Sequence, residues 1–140
     1  MEKIELLKEI SKDSKMGMDS INMVLKKVED KNFKELLNTQ HEEYKNIFDR
    51  TQELLIQNHE KIEDTPIMQK AMSWMGIQFN TATDTSNSQL SDLLIQGTNM
   101  GIVKGKKLLN NISMSGELKN ILSDFVRLQE KNVEDLKKYL

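Results

Sequence analysis

Cysteine is absent from the chain. That removes disulfides, thiolate metal sites and cysteine nucleophiles together, and it fits a reducing compartment such as the cytosol. A single proline interrupts the 140 residues, so few breaks are forced on the backbone. No apolar run reaches the length of a membrane span. The opening stretch MEKIELLKEI alternates charged with apolar residues and lacks the continuous apolar core of a signal peptide. Positive charge is not in excess: the formal net charge is -2, which gives no electrostatic reason to expect nucleic acid or an anionic membrane as partner. No segment alternates with period two for long enough to make a strand. These absences lead to the expectation of a cytoplasmic, all-α protein.

What is present is helical periodicity. Hydrophobic residues make up 37% of the chain and charged residues 30%, a balance suited to helices with one apolar stripe and a wet opposite face. The length suits one domain, 1–140, able to bury a core. Four long segments carry apolar stripes at helical spacing. Helix A covers about 2–29 (Leu7, Ile10, Ser14, Gly17, Ile21, Leu25, Val28). Helix B covers about 32–61 (Phe33, Leu37, Gln40, Tyr44, Ile47, Leu54), with Asn32 and Glu35 as an expected capping box. Helix C covers about 87–112 (Leu90, Leu94, Gly97, Met100, Gly101, Leu108). Helix D covers about 116–139 (Leu118, Leu122, Phe125, Gln129, Asn132, Leu136).

The short connections EDKN and SMSG make A–B and C–D antiparallel hairpins. B reaches C through the long stretch DTPIMQKAMSWMGIQFNTATDTSNS. Thr65 and Pro66 there open a short helix with Met68, Met72 and Met75 at helical spacing, and a polar turn at 80–88 leads into helix C. The expected architecture is a four-helix bundle with one long crossover.

The two hairpins also match one another. Moving helix A by 84 residues puts Met16-Gly17-Met18 on Met100-Gly101-Ile102 and Ile10 on Leu94. Moving helix B by 89 puts Gln40 on Gln129. Glycine inside a helix costs about 1 kcal/mol relative to alanine, so Gly17, Gly97, Gly101 and Gly105 need a reason. Close helix packing is one, and a groove that holds a small ligand is another. A phosphate loop is not: MGIVKGKKL lacks the first glycine and the Ser/Thr of that motif, and no strand precedes it.

Two hairpins, a long crossover and duplicated polar core positions resemble the ferritin-like superfamily over nearly the whole chain. The likeness is greatest to small, largely uncharacterised bacterial members, near spore-coat and stress-associated bundle proteins. In iron-binding members helices B and D each carry Glu-x-x-His, and A and C each add a glutamate. The resemblance puts Gln40 and Glu43, in NTQHEEY, at the glutamate and histidine positions of helix B. It puts Gln129 and Asn132, in RLQEKNVED, at those of helix D. Asp13 or Gly17, and Gly97 or Gly101, fall at the positions on A and C. At most Asp13 and Glu43 then remain as ionisable ligands, whereas two dications need several anionic oxygens. The resemblance therefore implies a bundle that has lost its di-iron site and carries no cofactor. Its central polar residues would form a buried hydrogen-bond network instead.

Other chemistry is thinly represented. HEEY is not H-E-x-x-H, which removes the zinc-protease motif, and His41 reads as a boundary histidine. His59 lacks a carboxylate and nucleophile at catalytic spacing. Lys104, Lys106 and Lys107 are expected to complement the dipole of helix C. The Met-rich crossover with Trp74 reads either as an adaptable surface for a homodimer or protein partner, or as a cap on the bundle. Asp84 and Asn87 either cap helix C or mark a surface site. The expected function is a non-enzymatic structural or interaction module. Two alternatives stay open: an atypical metal site of Asp13, His41, Glu43 and Glu130, and a small-ligand carrier using the glycine-lined groove.

Overall fold

The structure, a computed structural model, describes residues 2–60, Gln78 and 83–140. Four helices are described: α1 (Lys3–Leu25), α2 (Lys31–Gln57), α3 (Asn87–Asn111) and α4 (Gly116–Lys137). There is no strand among the described residues. The expected crossover helix, with Thr65, Pro66, Met68, Met72, Trp74 and Met75, lies outside the described residues.

Local chemistry sets the helix ends. Asp30, not Asn32, caps α2: its Oδ1 accepts from the Phe33 N–H at 2.8 Å and satisfies one of the orphan donors of the first turn. At the other end His59 adopts φ 57°. This left-handed turn brings the Glu60 N–H to the Leu55 carbonyl at 2.9 Å and stops the helix. Ser86 caps α3 by accepting from the Gln89 N–H. Asp84 braces that cap by accepting from the Ser86 N–H at 2.9 Å, and Asn87 is simply the first helical residue.

Each sequential pair of helices is an antiparallel hairpin. Gln52, late in α2, donates to Ser11, early in α1. Ser91, early in α3, donates to the carbonyl of Leu136, late in α4. Between hairpins α2 lies beside α4, and α1 beside α3. Arg50, late in α2, pairs with Glu117 and Asp124, early in α4. Gln40, nearer the start of α2, reaches the Asn132 carbonyl near the end of α4. α2 and α4 are thus antiparallel, so α2 and α3 run in the same direction. The end of α2 and the start of α3 lie at opposite ends of the bundle.

Buried apolar residues from all four helices form the core, among them Leu7, Ile10, Phe33, Leu37, Ile47, Leu90, Ile121 and Leu122. α3 contributes least: beyond Leu94 its one buried position is Gly105. Met100, expected on the inward stripe, is 70% exposed.

Candidate functional site

The bundle centre is organised around two glycine seats. A Cβ on Gly17 would stand 2.9 Å from the ring of Tyr44, and one on Gly101 would collide with the amide nitrogen of Gln129. The first helix of each hairpin thus gives up a side chain so that a long one from the second helix can lie on its backbone. The glycines match at the expected offset of 84. Their occupants, Tyr44 and Gln129, are 85 residues apart, one helical turn from the 89 that aligned Gln40 with Gln129. Gly105 is also buried, with Val126 Cγ2 2.5 Å from its absent Cβ. Gly97 is neither a packing nor a groove position: it is exposed, and nothing lies within 4 Å of a Cβ built there. The reason is rotational. Steps of four residues drift around a helix, and Gly97 and Gly105 end about 80° apart.

Tyr44, Gln40, Glu43, Gln129 and Asn132 meet between α2 and α4, with Thr98 approaching from α3. Gln40 Nε2 donates to the Asn132 carbonyl at 3.4 Å. With its amide turned to satisfy its neighbours, Asn132 Nδ2 donates to Glu43 Oε2 at 3.1 Å and to the Leu128 carbonyl at 3.2 Å. Glu43 Oε1 faces Lys131 at 3.5 Å. Burial pushes the Tyr44 phenol above its usual value, opposed by the Thr98, Asn132 and Gln129 side chains around its hydroxyl and reinforced by the charge of Glu43. Gln40 and Gln129, equivalent at the offset of 89, do not bond one another. Gln129 Oε1 is buried without a partner, the least satisfied atom of the network and a local cost to folding.

Asp13 belongs elsewhere. It lies on the α1–α3 side, where Lys104 Nζ approaches Asp13 Oδ2 at 3.0 Å and also holds Glu9. Lys104 therefore ties the two hairpins together, the role that replaces its expected service to the helix dipole. Lys106 pairs with Glu130 at 3.1 Å. Burial raises the Asp13 carboxyl, Lys104 opposes the rise and Glu9 adds to it. Burial would raise Glu9 as well, but Lys104 and Lys12 outweigh it and hold Glu9 below its ordinary value.

These shifts give a prediction with a sign. Ionised Asp13 works against folding once pH rises through its elevated pKa, and Lys104 limits that loss. Glu9 contributes stability above its unfolded pKa and loses it as pH falls. Both effects lean on Lys104 when the carboxylates are charged. Lys104→Met should therefore cost about 1 kcal/mol at neutral pH, a small figure because Lys104 is partly in water. The gap from wild type should narrow toward pH 4. Thermal melts across that range check it, and a gap that widens on acidification would contradict the assignment.

The four residues of the alternative metal set are not brought together. Asp13 faces Lys104, Glu43 faces Asn132 and Lys131, Glu130 faces Lys106, and His41 Nδ1 lies 3.8 Å from its exposed neighbour Glu42. Among the described residues no three His, Asp or Glu side chains converge as metal ligands. No described helix is long and apolar enough to cross a membrane. No protein-family model matches the chain, and no curated protein or solved structure matches it either.

Proposed function

We propose that this protein is a ferritin-like bundle without a di-iron centre, serving as a non-enzymatic structural or protein-interaction module in the bacterial cytoplasm. The observation that carries the reading is the filling of the centre. Gln129 lies on Gly101 and Tyr44 on Gly17, so the volume between the helices is taken by the protein's own side chains. The donor set argues the same way. Gln40, Gln129 and Asn132 supply dipoles without charge, Glu43 is engaged by Asn132 and Lys131, and Asp13 is engaged by Lys104. Such a set does not fit two dications, which need several free anionic oxygens. The parallel course of α2 and α3 supports the ferritin-like part of the reading. Consecutive helices that run parallel in a bundle of hairpins require a connection that returns along its length.

Ferrous titration tests the proposal. Protein loaded anaerobically with ferrous iron and then exposed to air should develop no stoichiometric ferroxidase absorbance. Two tightly held irons per chain, or turnover of ferrous iron, would refute it. The ligand-carrier alternative gains no support from the glycines, since two seats are filled and Gly97 opens to solvent.

A further inference from the structure

The outer face of α3 carries the one pair of exposed large apolar side chains that adjoin each other on a described helix. Met100 is 70% exposed and Val103, one turn on, 53% exposed. Single exposed apolar residues are ordinary, and Ile56 and Leu140 are of that kind. Two together form a strip on which another helix can lie.

We propose that this strip binds the same strip of a second copy of the chain, with the two α3 helices antiparallel about a twofold axis near Met100. Charge selects the partner. Asp92 precedes Met100 by about two turns and Lys107 follows it by about two, and they lie within roughly 60° of each other around the helix. An antiparallel pairing therefore brings Lys107 of each copy to Asp92 of the other, twice over, as an isologous interface requires. A parallel pairing would set Lys107 beside Lys107. Within the single chain both charges are available for this. Asp92 accepts from the Gln96 amide at 3.0 Å, and Lys107 meets no acidic group among the described residues. Val103 then packs beside Gln96 of the second copy, since the two lie within roughly 20° of each other around the helix. The strip is shorter than a standard protein interface, so the dimer is weak and reversible. This rests on the reading of the chain as an interaction module, but ferrous titration tests that reading and molecular mass tests this one.

Sedimentation equilibrium of the full chain over a concentration series should show a monomer–dimer equilibrium. Met100→Lys should weaken it by about tenfold or more. Asp92→Lys and Lys107→Glu should each weaken it by placing like charges together, and the Asp92→Lys/Lys107→Glu double variant should recover it. All these side chains lie outside the core, so melting temperatures at low concentration should match wild type. A chain that stays monomeric at about 1 mM overturns the proposal. So does a dimer indifferent to the charge reversals. A monomer whose melting temperature falls on Met100→Lys overturns it too, because the chain itself would then cover the strip.

Discussion

Leucine at Gly101 should lower stability by about 3 kcal/mol, the upper end of what overpacking a core usually costs, and leucine at Gly105 by as much. At Gly101 even the first carbon falls on the Gln129 amide. That side chain is long enough to swing, but it is only 4% exposed and sits among Tyr44, Thr98 and Asn132. Moving it means repacking the centre. At Gly105 the obstacle is stiffer. Val126 Cγ2 stands 2.5 Å away on a β-branched side chain, which has few alternative rotamers in a helix. Gly97→Ala is the internal control. With nothing near the new methyl, it should raise stability by about 0.5–1 kcal/mol through helix propensity alone. Denaturant midpoints of the three variants decide the matter. An unchanged midpoint for Gly101→Leu would mean that α3 presents another face to the centre.

The same glycines show what a sequence can reveal about this bundle and what it hides. Periodicity locates all four helices and places their starts to within one residue, because an apolar stripe is a property of one segment, but it carries the first helix to 29 and the second to 61, four residues past Leu25 and Gln57 where they end. It could not rank Gly97, Gly101 and Gly105, since their spacing drifts around the axis and only the neighbouring helix fixes where inward lies. Gly105, the nearest of them to the helix end, is one of the most crowded because of Val126. The N-cap moved from Asn32 to Asp30 for a related reason: both are good capping residues, and the path of the preceding turn chooses between them. Gln40, Gln129 and Asn132 are legible because amides on an apolar stripe stand out, whereas Glu43 enters only through the resemblance. How these residues pair is not legible. An offset of one turn between α2 and α4 sets Gln40 against Asn132 and Gln129 beside Tyr44, so the two glutamines do not pair. Lys104 was misread because its partners, Glu9 and Asp13, lie about 90 residues away in sequence, beyond any local pattern.

Placing a charge at the centre should be costlier than removing a polar group. Gln129→Glu changes one atom type and almost no volume, yet it puts a carboxylate where one oxygen already lacks a partner. The nearest charged group on this network is Glu43, also an acid, and Lys131 is turned to Glu43 on the outer side. An uncompensated buried charge costs about 3–5 kcal/mol, so the variant should be severely destabilised at neutral pH. Burial raises the folded-state pKa of the new acid above its unfolded value. The penalty must therefore be full at high pH and fade as pH falls through that raised pKa toward the ordinary glutamate value. Gln129→Met, of similar length and without polar atoms, should be neutral or slightly stabilising, because it removes the orphan acceptor along with the amide. The pair separates a structural amide from a vestigial ligand. In a latent metal site, cobalt or ferrous ion would lift the melting temperature of Gln129→Glu well above that of the metal-free variant, by mass action on the folded state. Here metal should leave that melting temperature where it is, because Gln40, Asn132 and the lysine-bound Glu43 offer the ion no further free charge. A large metal-dependent rise would show that the centre holds a metal once a single carboxylate is supplied, and the reading of a lost site would fall with it.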